Sequence, residues 1–382
     1  MPVGAVPVGT VPGEAGPVNL EPVAALLRTF ARTGRETGAS LAVVRDGTVV
    51  LDVQVGWADV GRTRPFAADT LVNVYSVSKP VMALATLMAL RDRDISLDEP
   101  VQRRWPEYAV ADKAATTVRH LIAHQAGLPA WPADTAAGLL DRQALTEALV
   151  RASPQWPPGA GHGEHALTYG HLLDGYLRQA TGVRLAEWLS RFAARVGIAD
   201  LHLAVPPEAG SRVAELEVGE PNWVASVVGT EDSLWRRSLI HPAGALEPRV
   251  LNTRQWREAE FGAIGLHTTA RSLARLYGDL LDASGAVARA IGADHFRELL
   301  TPSITGIDEV FGLPASWGVG MPVEVGVDGQ LEWFGMGGVG GSLAYGNAAA
   351  GYAFGFVTRR LAEDDRAEEL ARALDHALAA AG

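Results

Sequence analysis

Ser76 and Lys79 stand three residues apart in the run Tyr75-Ser76-Val77-Ser78-Lys79. On a helix that spacing puts a hydroxyl and an amine on one face. The chain carries 33 lysines and arginines together, and only Lys79 and Lys113 are lysines. Arginine stays protonated under any protein condition, whereas a lysine buried in apolar surroundings can give up its proton and act as a base. The pair therefore reads as a serine nucleophile and its base.

Such a pair needs an element that holds it. Pro80 to Leu90 is apolar and rich in helix formers, and the charged run Arg91-Asp92-Arg93-Asp94 ends it. This predicts a buried helix starting near the serine. Pro80 fits a first turn, where the amide has no partner inside the helix. The same helix start offers free backbone N–H groups and a positive dipole end to a developing oxyanion, and it disfavours a nearby ammonium.

Two further stretches could serve this chemistry. Tyr169 precedes a helix in His165-Ala166-Leu167-Thr168-Tyr169-Gly170-His171, where a tyrosine either packs or relays a proton. Gly335-Met336-Gly337-Gly338-Val339-Gly340-Gly341-Ser342 has enough glycine for its backbone to approach a ligand, or simply to turn. His162-Gly163-Glu164-His165 spaces two histidines by three in a Pro/Gly loop without a third ligand, so no metal site is read there. Gly340-Gly341-Ser342-Leu343-Ala344 misses the last glycine of a nucleophile elbow. Trp131, Trp156 and Trp317 either line a pocket or pack the core.

The 382 residues, 48% of them hydrophobic, suffice for one large core or two smaller ones. A net charge of −11 without a basic cluster argues against a nucleic-acid partner. The absence of cysteine removes disulfides and thiolate chemistry. The N-terminus lacks the pattern of a signal peptide and no segment reads as a membrane span, so a soluble cytoplasmic protein is expected, with a flexible leader over residues 1–18.

Leu20 to Arg35 has helical spacing, and Ser40–Arg45 and Thr48–Val55 flank the hairpin signal Asp46-Gly47. Helices are expected at Val118–Ala123, His171–Ala180, Leu185–Arg195 and Ala270–Leu281. Strands return at Gly341–Tyr345 and Gly351–Val357, with a turn at Gly346-Asn347, before a closing helix from Leu361 to Ala380. The expected fold is of the α/β (α+β) class, an antiparallel sheet from both termini flanked by terminal helices, with a large inserted helical region. Residues 19–75 and 301–382 would form the sheet domain and 76–300 the mainly helical region, with the active site between them.

The Ser-Val-Ser-Lys run, Tyr169-Gly170-His171 and the late Gly-rich strand together resemble the three motifs of serine β-lactamases, penicillin-binding proteins and the carboxylesterases of their fold. The resemblance is nearest to the class C and family VIII esterase branch and spans Ala39 to Val357. Asp69-Thr70-Leu71-Val72, Leu97-Asp98-Glu99-Pro100-Val101 and the stretch Thr117 to Leu128 also match. It implies that Ser76 forms an acyl-enzyme, Lys79 is its base, Tyr169 is the second proton-transfer group, and the N–H groups of Ser76 and Val339 form the oxyanion hole. Which of Lys79 and Tyr169 takes the serine proton is left open.

Met336-Gly337-Gly338 stands where lactam and peptidoglycan enzymes carry Lys-Thr-Gly, and His171 stands where many relatives have asparagine. These four residues are the expected substrate contacts. Without the lysine a substrate carboxylate loses a charge-assisted bond worth about 1.5–3 kcal/mol, which disfavours lactams and D,D-peptides. The expected activity is carboxylic ester hydrolysis through acyl-Ser76, needing no cofactor and taking a small-molecule ester. The alternative is a transacylase that hands the acyl group to an amine or alcohol. Ile264-Gly265-Leu266, where related esterases often show Asn-Gly-His, leaves that alternative open.

Overall fold

The computed structural model describes residues 18–362 and 365–380. The leader expected over residues 1–18 falls almost wholly outside them. Alternating side chains build an antiparallel sheet from both ends of the chain. Its strands are β1 (Gly38–Arg45), β2 (Thr48–Gly56), β3 (Val323–Val325), β4 (Leu331–Gly337), β5 (Leu343–Asn347) and β6 (Tyr352–Thr358), in the order β2-β1-β6-β5-β4-β3. Between β1 and β2, Asp46 and Gly47 take φ of 51° and 70°, the left-handed pair that a two-residue hairpin requires. Asn347 pairs with Tyr352, so the late turn runs through 348–351, one step beyond the expected Gly346-Asn347. The side chain of Asn347 explains the shift, since its Oδ1 accepts from Ala350 N–H at 2.9 Å and organises the turn after it.

Period-two alternation gives β1 two buried faces. Leu41 and Val43 join Phe354 and Phe356 of β6 in a core covered by α1 (Glu21–Thr33) and the closing helix Arg366–Ala379. That helix starts later than the expected Leu361 because Arg360 and Leu361 form a short parallel bridge to Glu217 and Val218. The buried Arg366 guanidinium pairs with Glu36 at 2.5 Å and holds the helix start against the entry to β1. Ala42 and Val44 face the opposite way, into the main core. Helix Ala270–Asp279 packs on that face with Leu273, Ala274 and Tyr277.

The helix that follows Ser76, α2 (Ser78–Asp92), is buried without interruption from Ser78 to Leu90. Helices α3 (Tyr169–Thr181) and α4 (Leu185–Val196) pack around it. With no solvent face, α2 has no amphipathic stripe, and tertiary packing rather than periodicity fixes it. Truncating one of its central leucines, such as Leu87, to alanine would cost about 2–5 kcal/mol. Among the described residues no helix is long and apolar enough to cross a membrane.

Candidate active site

The serine sits on a single tight turn, Tyr75–Val77, that leads into α2. Tyr75 holds a left-handed φ of 48°, a conformation costly for a bulky residue and characteristic of functional turns. Surrounding bonds enforce it. The Ser78 hydroxyl donates to the Tyr75 carbonyl and accepts from Leu266 N–H. Val74 N–H donates to the Leu266 carbonyl, and the Asn73 side chain donates to the Ile264 carbonyl. The Ile264-Gly265-Leu266 stretch thus holds the Ser76 turn in place.

Lys79 is fully buried, and its Nζ donates to Ser76 Oγ at 2.6 Å. Burial pushes the lysine pKa below its ordinary value against the opposing pull of Glu164, whose Oε1 lies 2.8 Å from the same nitrogen. Ser76 Oγ in turn donates to Glu164 Oε1 at 3.4 Å. Hydroxyl, amine and carboxylate therefore form a closed triangle under a nearly solvent-free surface. The other lysine is structural: buried Lys113 donates to the carbonyls of Val150 and Ala152 at the end of helix Arg142–Arg151.

Glu164, which the motifs did not single out, is brought against the Ser76–Lys79 pair. It lies in the loop before α3, and its backbone N–H donates to Asp308 Oδ2 at 2.9 Å. Burial raises the Asp308 carboxyl to about 6, against the bonds it accepts from Phe311 and Val310 N–H. Next to this loop, His124 and His165 are buried and held neutral, His165 with its pKa depressed to about 4, in both cases chiefly by desolvation. The only signal in the sequence was an acidic residue in a Gly/His loop just ahead of a buried helix.

The structure does not bring Tyr169 to the pair by a hydrogen bond. Its phenol donates to the Ile122 carbonyl at 3.0 Å while its ring stacks on His124, centroids 4.3 Å apart. Desolvation raises its pKa. His171 is buried edge-on against Trp131 and Phe261, its pKa depressed by burial to about 3, and its Nε2 has no hydrogen-bond partner. It bonds to neither Ser76 nor Tyr169. Trp131 is core, donating to the Leu145 carbonyl. Trp317 packs on His124, and half-buried Trp156 stands edge-on to His165.

The end of β4 meets the turn that carries Ser76. A Cβ on Gly338 would come within 2.3 Å of the Val74 carbonyl oxygen, so only glycine lets the two backbones approach. Gly337 is exposed, Gly338 and Val339 are half-buried, and Met336 is buried. The amides of Ser76 and Val339 have no acceptor among the described residues. Gly338 N–H is instead spent on the Ser342 carbonyl.

A beta-lactamase family model matches residues 23–379. The chain belongs to the beta-lactamase family. Within that family it is 33% identical over 366 residues to the esterase/beta-lactamase LipL of Mycobacterium tuberculosis, covering 88% of this chain and 81% of LipL. Esterase EstB of Burkholderia gladioli is 30% identical over 182 residues, 43% of this chain and 46% of EstB. A family VIII carboxylesterase structure superimposes with a TM-score of 0.80 at 27% identity, covering 96% of this chain and 99% of that one. A penicillin-binding protein homolog from Caulobacter crescentus gives a TM-score of 0.80 at 28% identity over 94% and 97% of the two chains. The beta-lactamase/transpeptidase-like fold and the class C and family VIII resemblance both stand, and this member of the family is a serine hydrolase with ester hydrolases among its relatives.

Proposed function

We propose that this enzyme is a carboxylesterase that works through an acyl-Ser76 intermediate. The observation that carries the reading is the 2.6 Å bond between Ser76 Oγ and a fully buried Lys79. Lys79 in its neutral form draws the hydroxyl proton as Oγ attacks the ester carbonyl. The carbonyl oxygen becomes an oxyanion facing the unspent amides of Ser76 and Val339. Donors of this kind are each worth about 3–4 kcal/mol in the transition state. The alcohol leaves with the proton, and water then repeats the sequence on the acyl-enzyme.

The preference for a simple ester rests on Met336, an apolar buried side chain at the place where the resemblance implies a lysine for a substrate carboxylate. LipL is named for both activities, so the two substrate classes need a direct comparison. Turnover of a short-chain p-nitrophenyl ester and of a chromogenic cephalosporin by the same preparation tests the reading. The ester should have the higher kcat/KM by about 10-fold or more, as expected for one missing charge-assisted bond. A cephalosporin preferred over every ester would overturn it.

A further inference from the structure

We propose that Glu164 is a catalytic residue of this enzyme, the carboxylate that takes a proton from Lys79 so that the amine can accept the proton of Ser76, in the role that the resemblance assigns to Tyr169. The proposal rests on the acyl-Ser76 reading and adds the fate of its proton. Glu164 Oε1 is within hydrogen-bond reach of both partners, 2.8 Å from Lys79 Nζ and 3.4 Å from Ser76 Oγ. The Tyr169 phenol is bonded to the Ile122 carbonyl instead.

The bond directions show why a second base is needed. In the resting ion pair Lys79 donates to Ser76 Oγ, and an ammonium that donates cannot also accept. Passing one proton from Lys79 to Glu164 leaves a neutral amine beside the hydroxyl and a carboxylic acid behind it, with the proton count of the pair unchanged. The Oγ–H bond then breaks toward Lys79 as the Oγ–C bond forms. When the ester C–O bond breaks, the leaving alkoxide takes the proton from Lys79, and Glu164 returns its own. In deacylation the attacking water takes the place of the serine hydroxyl, and Ser76 Oγ is the leaving group that is reprotonated.

The surroundings suit an acceptor that must stay in register. Asp308 accepts from Glu164 N–H, fixing the backbone from which the carboxylate reaches. The titratable groups around the triangle are few. Asp308 faces Glu164, His124 and His165 lie within electrostatic range of Lys79 and are held neutral by burial, and His162 faces Glu309 farther along the loop. Tyr75 beside the serine and Tyr169 are raised by burial and stay protonated.

The test compares Glu164→Gln, Glu164→Asp and Tyr169→Phe by steady-state kinetics on one activated ester, with thermal unfolding of each protein. Glu164→Gln should lose at least 100-fold in kcat with KM within about fivefold. The ascending limb of its kcat/KM profile should move to lower pH, because the carboxylate that favours the Lys79 ammonium is gone. Glu164→Asp keeps the charge opposite Lys79 but withdraws it by one methylene, so it should fold like wild type and lose about 10- to 100-fold in kcat, even if Glu164→Gln proves unstable. Tyr169→Phe should lose less than either. Wild-type kcat in Glu164→Asp, an unmoved limb in Glu164→Gln, or a greater loss in Tyr169→Phe would overturn the proposal. Trapping acyl-Ser76 in the wild-type enzyme separates these outcomes from failure of the esterase reading itself, in which no acyl-Ser76 would form.

Discussion

Asp308 accepts the backbone N–H of Glu164 at 2.9 Å while its other oxygen accepts from Val310 and Phe311 N–H at 2.8 and 2.9 Å. One buried carboxylate thereby joins the loop before α3 to a late turn more than 140 residues away. Asn in its place keeps the shape but turns an N–H₂ group toward at least one of these donors. Asp308→Asn should lower stability at pH 7 by about 1–3 kcal/mol, the cost of leaving a buried donor unsatisfied. It should also lower kcat, because the Glu164 backbone loses its anchor. Urea unfolding and ester turnover check both effects, and wild-type values in the two measurements would show that the link is not needed.

Lys79→Arg should lower kcat/KM by at least 10³-fold although the charge is kept. Guanidinium cannot become a neutral base, and the fully buried lysine site offers no room for its larger head. In the wild-type enzyme, kcat/KM should rise with pH along a limb below the ordinary lysine value of about 10.4, since desolvation disfavours the ammonium. A profile flat from pH 5 to 10 with a chemically limited ester would argue against Lys79 as the base.

Acid should unfold the enzyme through its buried histidines. His165, His171 and His267 are fully buried and held neutral, depressed from 6.5 to about 4, 3 and 3. A group with a depressed folded pKa contributes stability that is complete above its unfolded value and lost as pH falls toward the folded one. Stability should therefore drop between about pH 6.5 and 3, by up to about 1.4 kcal/mol per pH unit for each histidine. His171→Phe keeps an aromatic ring between Trp131 and Phe261 and removes the unpartnered nitrogen. Its acid-unfolding midpoint should fall to lower pH, and a midpoint unchanged or raised would contradict this source of acid sensitivity.

Local signals suffice wherever one segment carries its own instruction. The Asp46-Gly47 hairpin, the antiparallel strands from both ends and the helix after Ser76 form as their patterns predict, while the late strand and its turn fall further along than Gly346-Asn347. The Ser76–Lys79 contact was legible for the same reason, because helical spacing alone brings the two groups together. Glu164 was not. Its approach to Lys79 depends on Asp308 and on the path of a Pro/Gly loop, and nothing periodic records a contact between residues 85 positions apart. Tyr169 and His171 show the converse, since helical position put them near the expected motif while packing against His124 and Phe261 fixed what they touch.

The most direct measurement is mass spectrometry of the enzyme quenched during turnover of an activated short-chain ester. The acyl mass should appear on the peptide containing Ser76, accumulate within the first turnovers and be absent from Ser76→Ala, which should also lose ester hydrolysis to background. An acyl group found on another residue, or sustained turnover by Ser76→Ala, would contradict the account at its centre.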